Sequence, residues 1–300
     1  MSVMRQTCKD VEVVVLDNHS TDDTSAMLAE LMASDARIKH VRHERNIGMV
    51  PNFNAIRDRI TGDYFSVLTD DDEYETCFVE TALKCFVKGG SVRFVACNAP
   101  TRAGDVVIKS QMNYWREGFC KANTAVAKCI LGHYPLVTNC LFEYGLRDDF
   151  AFREELKNTG DGFLLSCMFS KYDAYICKTI TGYWNNDGEN ASSLQGYDPV
   201  LLVDAAIQFS LLYRDFCRGN GIRMRHATLV MMKKYLTILA AADRSGFDHV
   251  RAHSMMKDRV GVFPTAILRL FHWLRIVRLS MQALQMYRRT HIAWTGSRER

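Results

Sequence analysis

The chain has 300 residues, 48% of them apolar and 24% charged, a make-up that suits one large or two modest soluble globular domains. Its formal net charge of +4 is too small to point to a nucleic-acid partner. Ten scattered cysteines with no C-x-x-C pair argue against a zinc motif or a disulfide framework. There is no signal-peptide pattern and no apolar run of roughly 18 residues, so a cytoplasmic protein is expected.

The first predicted element is a strand, Val-Glu-Val-Val-Val-Leu-Asp over 11–17, whose nearly continuous apolar run suits a sheet covered on both faces. Ser20 and Asp23 read as a helix start of capping-box type, ahead of a helix over 22–34. A short strand, 38–41, leads into the loop His43 to Gly48. A second helix, 51–60, is expected to end with Gly62 as its C-cap. The strand Tyr64 to Leu68 then stops at Thr69-Asp70-Asp71-Asp72. Further on, 76–88 reads as helix, 92–97 and 106–108 as strands, 163–170 as helix and 175–180 as strand. Short strands alternating with short helices predict a doubly wound α/β domain. Beyond Pro199 the pattern turns to long helical periodicity. The predicted division is an α/β domain over 1–195, with halves of about 1–95 and 96–195, and a helical region over 196–300.

Three adjacent aspartates repel one another, by roughly 1–4 kcal/mol per pair in a polar setting. They are tolerated in water, or put to use around a cation. Asp17 also ends an apolar strand, and strand ends of one parallel sheet share an edge where ligands bind. Four carboxylates at one crevice suit Mg²⁺ or Mn²⁺ bridging a nucleotide diphosphate. The bland alternative is a solvated acidic loop and a helix cap. An EF-hand fails, because Glu75 stands where the sharp turn needs Gly. No Walker-type loop is present.

The order Val-Val-Val-Leu-Asp-Asn-His-Ser-Thr-Asp-Asp-Thr (13–24), Asn46-Ile-Gly48 with Asn54, and Gly62-Asp-Tyr64 before Leu68-Thr-Asp-Asp-Asp72 resembles the family 2 glycosyltransferases of the GT-A fold. The resemblance covers about 5–90 strongly and about 130–193 weakly. It implies transfer of a sugar from a nucleotide-diphosphate sugar to a saccharide or lipid-linked acceptor, inverting the anomeric centre, with a divalent cation (Mn²⁺ or Mg²⁺) on the diphosphate. The family's usual role adds envelope or surface polysaccharide biosynthesis. Asp17 matches the acid that reads the donor base, and Asn46 and Gly48 match the loop beside the nucleotide. Asp70, Asp71 and Asp72 match the D-x-D element, with Asp70 and Asp71 on the donor and all three as metal candidates. Asp161, in Thr-Gly-Asp-Gly, resembles the catalytic base, for which the plain alternative is a helix N-cap.

Two departures from the family stand out. Its Tyr-Arg-x-His stretch is replaced by Tyr183-Trp184-Asn185-Asn186, leaving Asn186 or Asp187 as substitute oxygen ligands. Its opening strand of the V-S-V-I-I-P kind is absent ahead of Asp17. That strand would lie between the strand of Asp17 and the strand of the aspartates. Either the reading frame begins upstream of Met1, or the two flanking strands pair directly and narrow the crevice. A non-catalytic remnant that binds donor is therefore the alternative function. From Arg259 to Arg298 there is no Asp or Glu against seven arginines, so the stretch 263–290 is expected to be a packed helix with a basic face, or a contact with the inner face of the membrane.

Overall fold

A computed structural model describes residues 2–130, 132–186, 208, 211–213 and 215–220. Its contacts divide the chain into two units, Met1–Gly196 and Tyr197–Arg300. Of the second unit, only a helical stretch within 208–220 is described. Asp187 and the segment 263–290 lie outside the described residues. Among the described residues, no helix is long and apolar enough to cross a membrane.

The first unit opens with β1 (Val13–Asp17), α1 (Thr24–Ser34) and β2 (Ile38–Arg42), the strands pairing in parallel from Val13 with Ile38 to Asp17 with Arg42. The expected capping box does not form. Ser20 donates its N–H to Asp17 Oδ1 at 2.7 Å, so the turn wraps onto the strand-end carboxylate. A charged oxygen is the stronger acceptor there. Next, α2 (Met49–Ala55) tightens into a 3₁₀ turn at Ile56–Arg59 and ends in extended backbone at Ile60, so Gly62 caps nothing.

The remaining strands are β3 (Tyr64–Phe65), β4 (Glu73–Tyr74), β5 (Val92–Asn98), β6 (Thr101–Ala103), β7 (Val106–Lys109), β8 (Gly118–Cys120), β9 (Cys140–Glu143), β10 (Asp173–Ile180) and β11 (Gly182–Asn185). Among them lie α3 (Phe78–Phe86), α4 (Val126–Ile130) and α5 (Gly160–Lys171). They form a five-stranded sheet, β3-β9-β5-β10-β8, and a four-stranded one, β4-β11-β6-β7. β5 and β10 run parallel, while β9 is antiparallel to both β3 and β5.

The shared edge expected for Asp17 and the aspartate run is not formed, because β1 and β3 belong to different sheets. Nor do the two strands pair directly. Val13 N–H donates to Arg37 and His43 N–H donates to Asp17 O, at 2.9 and 3.0 Å. The odd-numbered residues of β1 therefore bond to β2, and the peptide groups of Val14 and Leu16 face away. Leu16 O meets Asn52 Nδ2 at 3.5 Å, the outer limit of a hydrogen bond. On its own side, β3 is shorter than expected. Ser66 leaves the strand pattern and gives its hydroxyl to Cys140 O at 2.7 Å.

The core sits around β5. On one face Phe94, Phe142, Phe150 and Phe169 are fully buried, with ring centroids of neighbouring pairs 4.9–5.6 Å apart. On the other, Phe78, Ala82 and Cys85 of α3 pack on Val95, Cys97, Tyr175 and Cys177. Truncating one such Phe to Ala costs about 3–5 kcal/mol. This rigid block carries the aspartates and the helix of Asp161.

Candidate functional site

The three aspartates are not equivalent. Asp72 is buried, and both its oxygens face donors. Thr69 and Thr138 give their hydroxyls to Oδ2 at 3.0 and 3.3 Å, and Asn185 gives its N–H to Oδ1 at 3.2 Å. Burial pushes its carboxyl up, Asp71 pushes further, and the three donors pull it back, leaving it at about 6. Asp71 is half-buried and Asp70 exposed, and neither carboxylate accepts a hydrogen bond among the described residues. The Asp71 backbone is fixed all the same, since its carbonyl accepts Asn185 Nδ2 at 2.8 Å.

Asn185 also brings a cation to the aspartates. Arg102 on β6 reaches its Oδ1 through Nε and a terminal nitrogen, at 3.1 and 2.9 Å, and lies 4.5 Å over the Tyr183 ring. The same guanidinium pairs with Glu73 at 2.9 Å. A guanidinium on the neighbouring strand thus stands against Tyr183 and Asn185. Asn186 N–H is bonded to Arg102 O at 2.7 Å.

Asp17 is buried at the end of β1. Burial would raise its carboxyl, but the bonds from Ser20 and His40 and the charge of Arg42 override this and hold it near 2. His40 Nε2 is 3.3 Å and Arg42 3.7 Å from Oδ2. The next residue ties this turn to the predicted nucleotide loop. Asn18 gives Nδ2 to Asn46 Oδ1 at 3.0 Å and accepts Ile47 N–H at 2.9 Å. Asn46 Oδ1 also accepts Gly48 N–H at 2.9 Å. Gly48 has φ +88°, a conformation that favours glycine. Asn54 pairs both ways with the Phe152 backbone, at 2.8 and 3.0 Å, and so joins α2 to the segment leading toward Asp161.

Asp161 stands in the first turn of α5 with no ion-pair partner among the described residues. Burial pushes its carboxyl up to about 6, against a small pull from its own N–H. The segment Tyr134 to Cys140 connects it with the aspartate run. Tyr134 and Cys140 face Asp161, whose charge adds to burial in raising both, while Thr138 bonds Asp72. No described hydrogen bond or ion pair joins Asp17 to this group.

Can these residues hold a divalent cation? Among the described residues, no three His, Cys, Asp or Glu side chains converge on one point. A protein-only cage is therefore not built. An ion of the Mg²⁺ or Mn²⁺ kind needs one or two carboxylates, with phosphates and water completing its shell. Asp71, open at its carboxylate and fixed at its carbonyl, fits that need, with Asp70 beside it.

Residues 1–146 match the family model described as glycosyl transferase family 2. They are a family 2 glycosyltransferase domain. The chain is 32% identical over 98 residues to a GalNAc(5)-diNAcBac-PP-undecaprenol beta-1,3-glucosyltransferase of Campylobacter jejuni, a match covering 32% of this chain and 31% of that protein. It thus spans about a third of that relative's length. Among solved structures, S. aureus TarS 1–349 in complex with UDP-GlcNAc superposes with a TM-score of 0.59 at 15% identity, covering 78% of this chain and 66% of that one. The mannosyltransferase PcManGT of Pyrobaculum calidifontis, in complex with GDP-Man and Mn²⁺, gives 0.54 at 16% identity over 94% of this chain and 78% of that one. The fold is that of the GT-A glycosyltransferases.

Several residues of the family 2 domain's surroundings escaped the sequence reading. Arg102, Thr138 and Tyr134 come from loops and short strands without periodicity. Asn185 stood in a segment read chiefly for what it lacked. Asn18 lies within the 13–24 stretch that carries the family resemblance, and that is its only sequence signal.

Proposed function

We propose that this chain transfers a sugar from a nucleotide-diphosphate sugar to an acceptor hydroxyl, with inversion at the anomeric carbon. The observation that carries the reading is Asp161, a half-buried carboxylate without a cationic partner among the described residues, raised to about 6 and flanking the same short segment as Asp72. Such a group is mostly ionised at neutral pH yet basic enough to take a proton. In the transfer, Asp161 accepts the acceptor's hydroxyl proton as that oxygen bonds to the anomeric carbon. The bond from that carbon to the diphosphate oxygen breaks, and the nucleoside diphosphate leaves with the electron pair.

Asp71, with Asp70, would hold a divalent cation, whose charge would offset that of the diphosphate. Asp72 fixes the loop, and Arg102 adds positive charge beside it. The Asn18–Asn46–Gly48 cluster flanks the nucleotide, with Asp17 as the acid at its base. The donors named for the structural neighbours, UDP-GlcNAc and GDP-Man, set the first substrates to try. A saccharide or lipid-linked acceptor, a cytoplasmic site of action and a role in envelope or surface polysaccharide assembly complete the reading.

Among the described residues only β2 pairs with β1, which favours a second reading, a domain that binds donor without turning it over. Release of UDP or GDP from these donors, with Mn²⁺ and a panel of sugar acceptors, separates the two. Metal-dependent release that Asp161→Asn abolishes supports the transferase. Donor binding with no release under any acceptor supports the second reading.

A further inference from the structure

Gly162 follows Asp161 in the first turn of α5, and the Tyr134 ring lies directly on it. A Cβ built on Gly162 would stand 2.5 Å from Tyr134 Cε1, 2.9 Å from Cδ1 and 3.1 Å from Cζ. Real Cβ atoms do not approach ring carbons so closely, so the contact requires glycine at 162. The ring therefore covers the helix turn that presents the carboxylate. Tyr134 itself sits in the loop after α4 (Val126–Ile130), and α4 packs against α5.

We propose that Tyr134 is a positioning residue for Asp161: its ring, seated on Gly162, walls off one side of the carboxylate from water and fixes the direction it faces. The charge of Asp161 also raises the Cys140 thiol on β9, and Cys129 of α4 adds to the rise of Tyr134. Among the described residues, these and Tyr134 itself are the titratable groups that act on this pair, and no cation stands among them. Shielding by the ring, rather than repulsion by a neighbouring anion, is then what keeps Asp161 basic. Removing the ring admits water and lets the carboxyl ionise more easily. The atoms against the helix turn are the ring carbons Cδ1, Cε1 and Cζ, so the phenolic oxygen is not needed for the wall. As a statement about catalysis, the proposal rests on Asp161 being the base. As a statement about the carboxyl group, it does not.

The test is a carboxyl ¹³C NMR titration of the full chain labelled at aspartate, with Asp161 assigned by its loss in Asp161→Asn. Tyr134→Ala is expected to lower the Asp161 midpoint by at least about one pH unit. Gly162→Ala, which displaces the ring without deleting it, is expected to move the midpoint the same way. Tyr134→Phe should leave it in place. If Tyr134→Ala does not fold, Gly162→Ala decides. A midpoint unmoved by Tyr134→Ala or Gly162→Ala, whichever folds, overturns the proposal. A turnover profile against pH, with UDP-GlcNAc or GDP-Man as donor, is read separately. Its acidic limb should shift with the NMR midpoint, and full turnover by Asp161→Asn would defeat the base assignment while leaving the NMR result to stand alone.

Discussion

Asn185 N–H donates to Asp72 Oδ1 at 3.2 Å, across 113 residues of chain, and its side-chain amide donates to Asp71 O at 2.8 Å. One asparagine on β11 thus fixes the aspartate run from two directions and separates the tasks of neighbouring acids. Asp72 is turned inward as a latch, and Asp71 is left open.

That division predicts opposite phenotypes. Asp72→Ala strands the Thr69 and Thr138 hydroxyls and one buried N–H, and should cost about 1–3 kcal/mol of stability. Asp71→Asn should leave stability within about 0.5 kcal/mol, because that carboxylate has no described donor to lose. Urea melts of both variants at neutral pH check this. Equal losses would contradict the division.

Asp161 predicts a stability change with a definite sign. Its folded value, about 6, lies above the ordinary aspartate value of about 3.9. Between those values the folded state binds more protons than the unfolded, so stability falls as pH rises through that window. Asp161→Asn should therefore stabilise the protein at pH 7, by roughly 1–3 kcal/mol, and leave it unchanged well below the window. Chemical melts at several pH values read the difference directly.

Asp17 has the opposite sign. Held near 2 by Ser20, His40 and Arg42 against its burial, its carboxylate stabilises the fold above the unfolded value. That contribution is lost as pH falls toward 2. Asp17→Ala should cost roughly 1–3 kcal/mol at neutral pH, and the gap to wild type should narrow in acid.

Gly182 offers a purely steric test. A Cβ there would lie 2.6 Å from Glu73 O and 2.7 Å from Asn139 Oδ1, where β11 crosses β4. Gly182→Ala should push β11 away from the aspartate loop and cost about 1–3 kcal/mol. Unchanged melting would show that the strands yield more easily than their packing implies.

Much of this molecule was legible in its sequence. The βαβ opening, the placing of Asp17 at a strand end and the helix of Asp161 follow from apolar runs closed by polar residues, whereas the aspartates stand in a turn before β4, beyond a strand that ends at Phe65. The sheet was less legible. Its antiparallel strand β9 and its short partner β3 are set by long-range pairing that periodicity does not report. The expected common edge failed because β1 and β3 went into separate sheets. Arg102, Asn185 and Tyr134 stayed hidden for the same reason. Each acts on a residue at least 27 positions away, through a contact that no local spacing encodes.

The most direct measurement is calorimetric titration of UDP and GDP into the full chain, with and without Mn²⁺. The account predicts saturable binding that requires the metal, weakens at least about tenfold in Asp71→Asn, and survives in Asp161→Asn. Binding that is indifferent to Mn²⁺ and to Asp71→Asn, or no binding of either nucleotide, would contradict it.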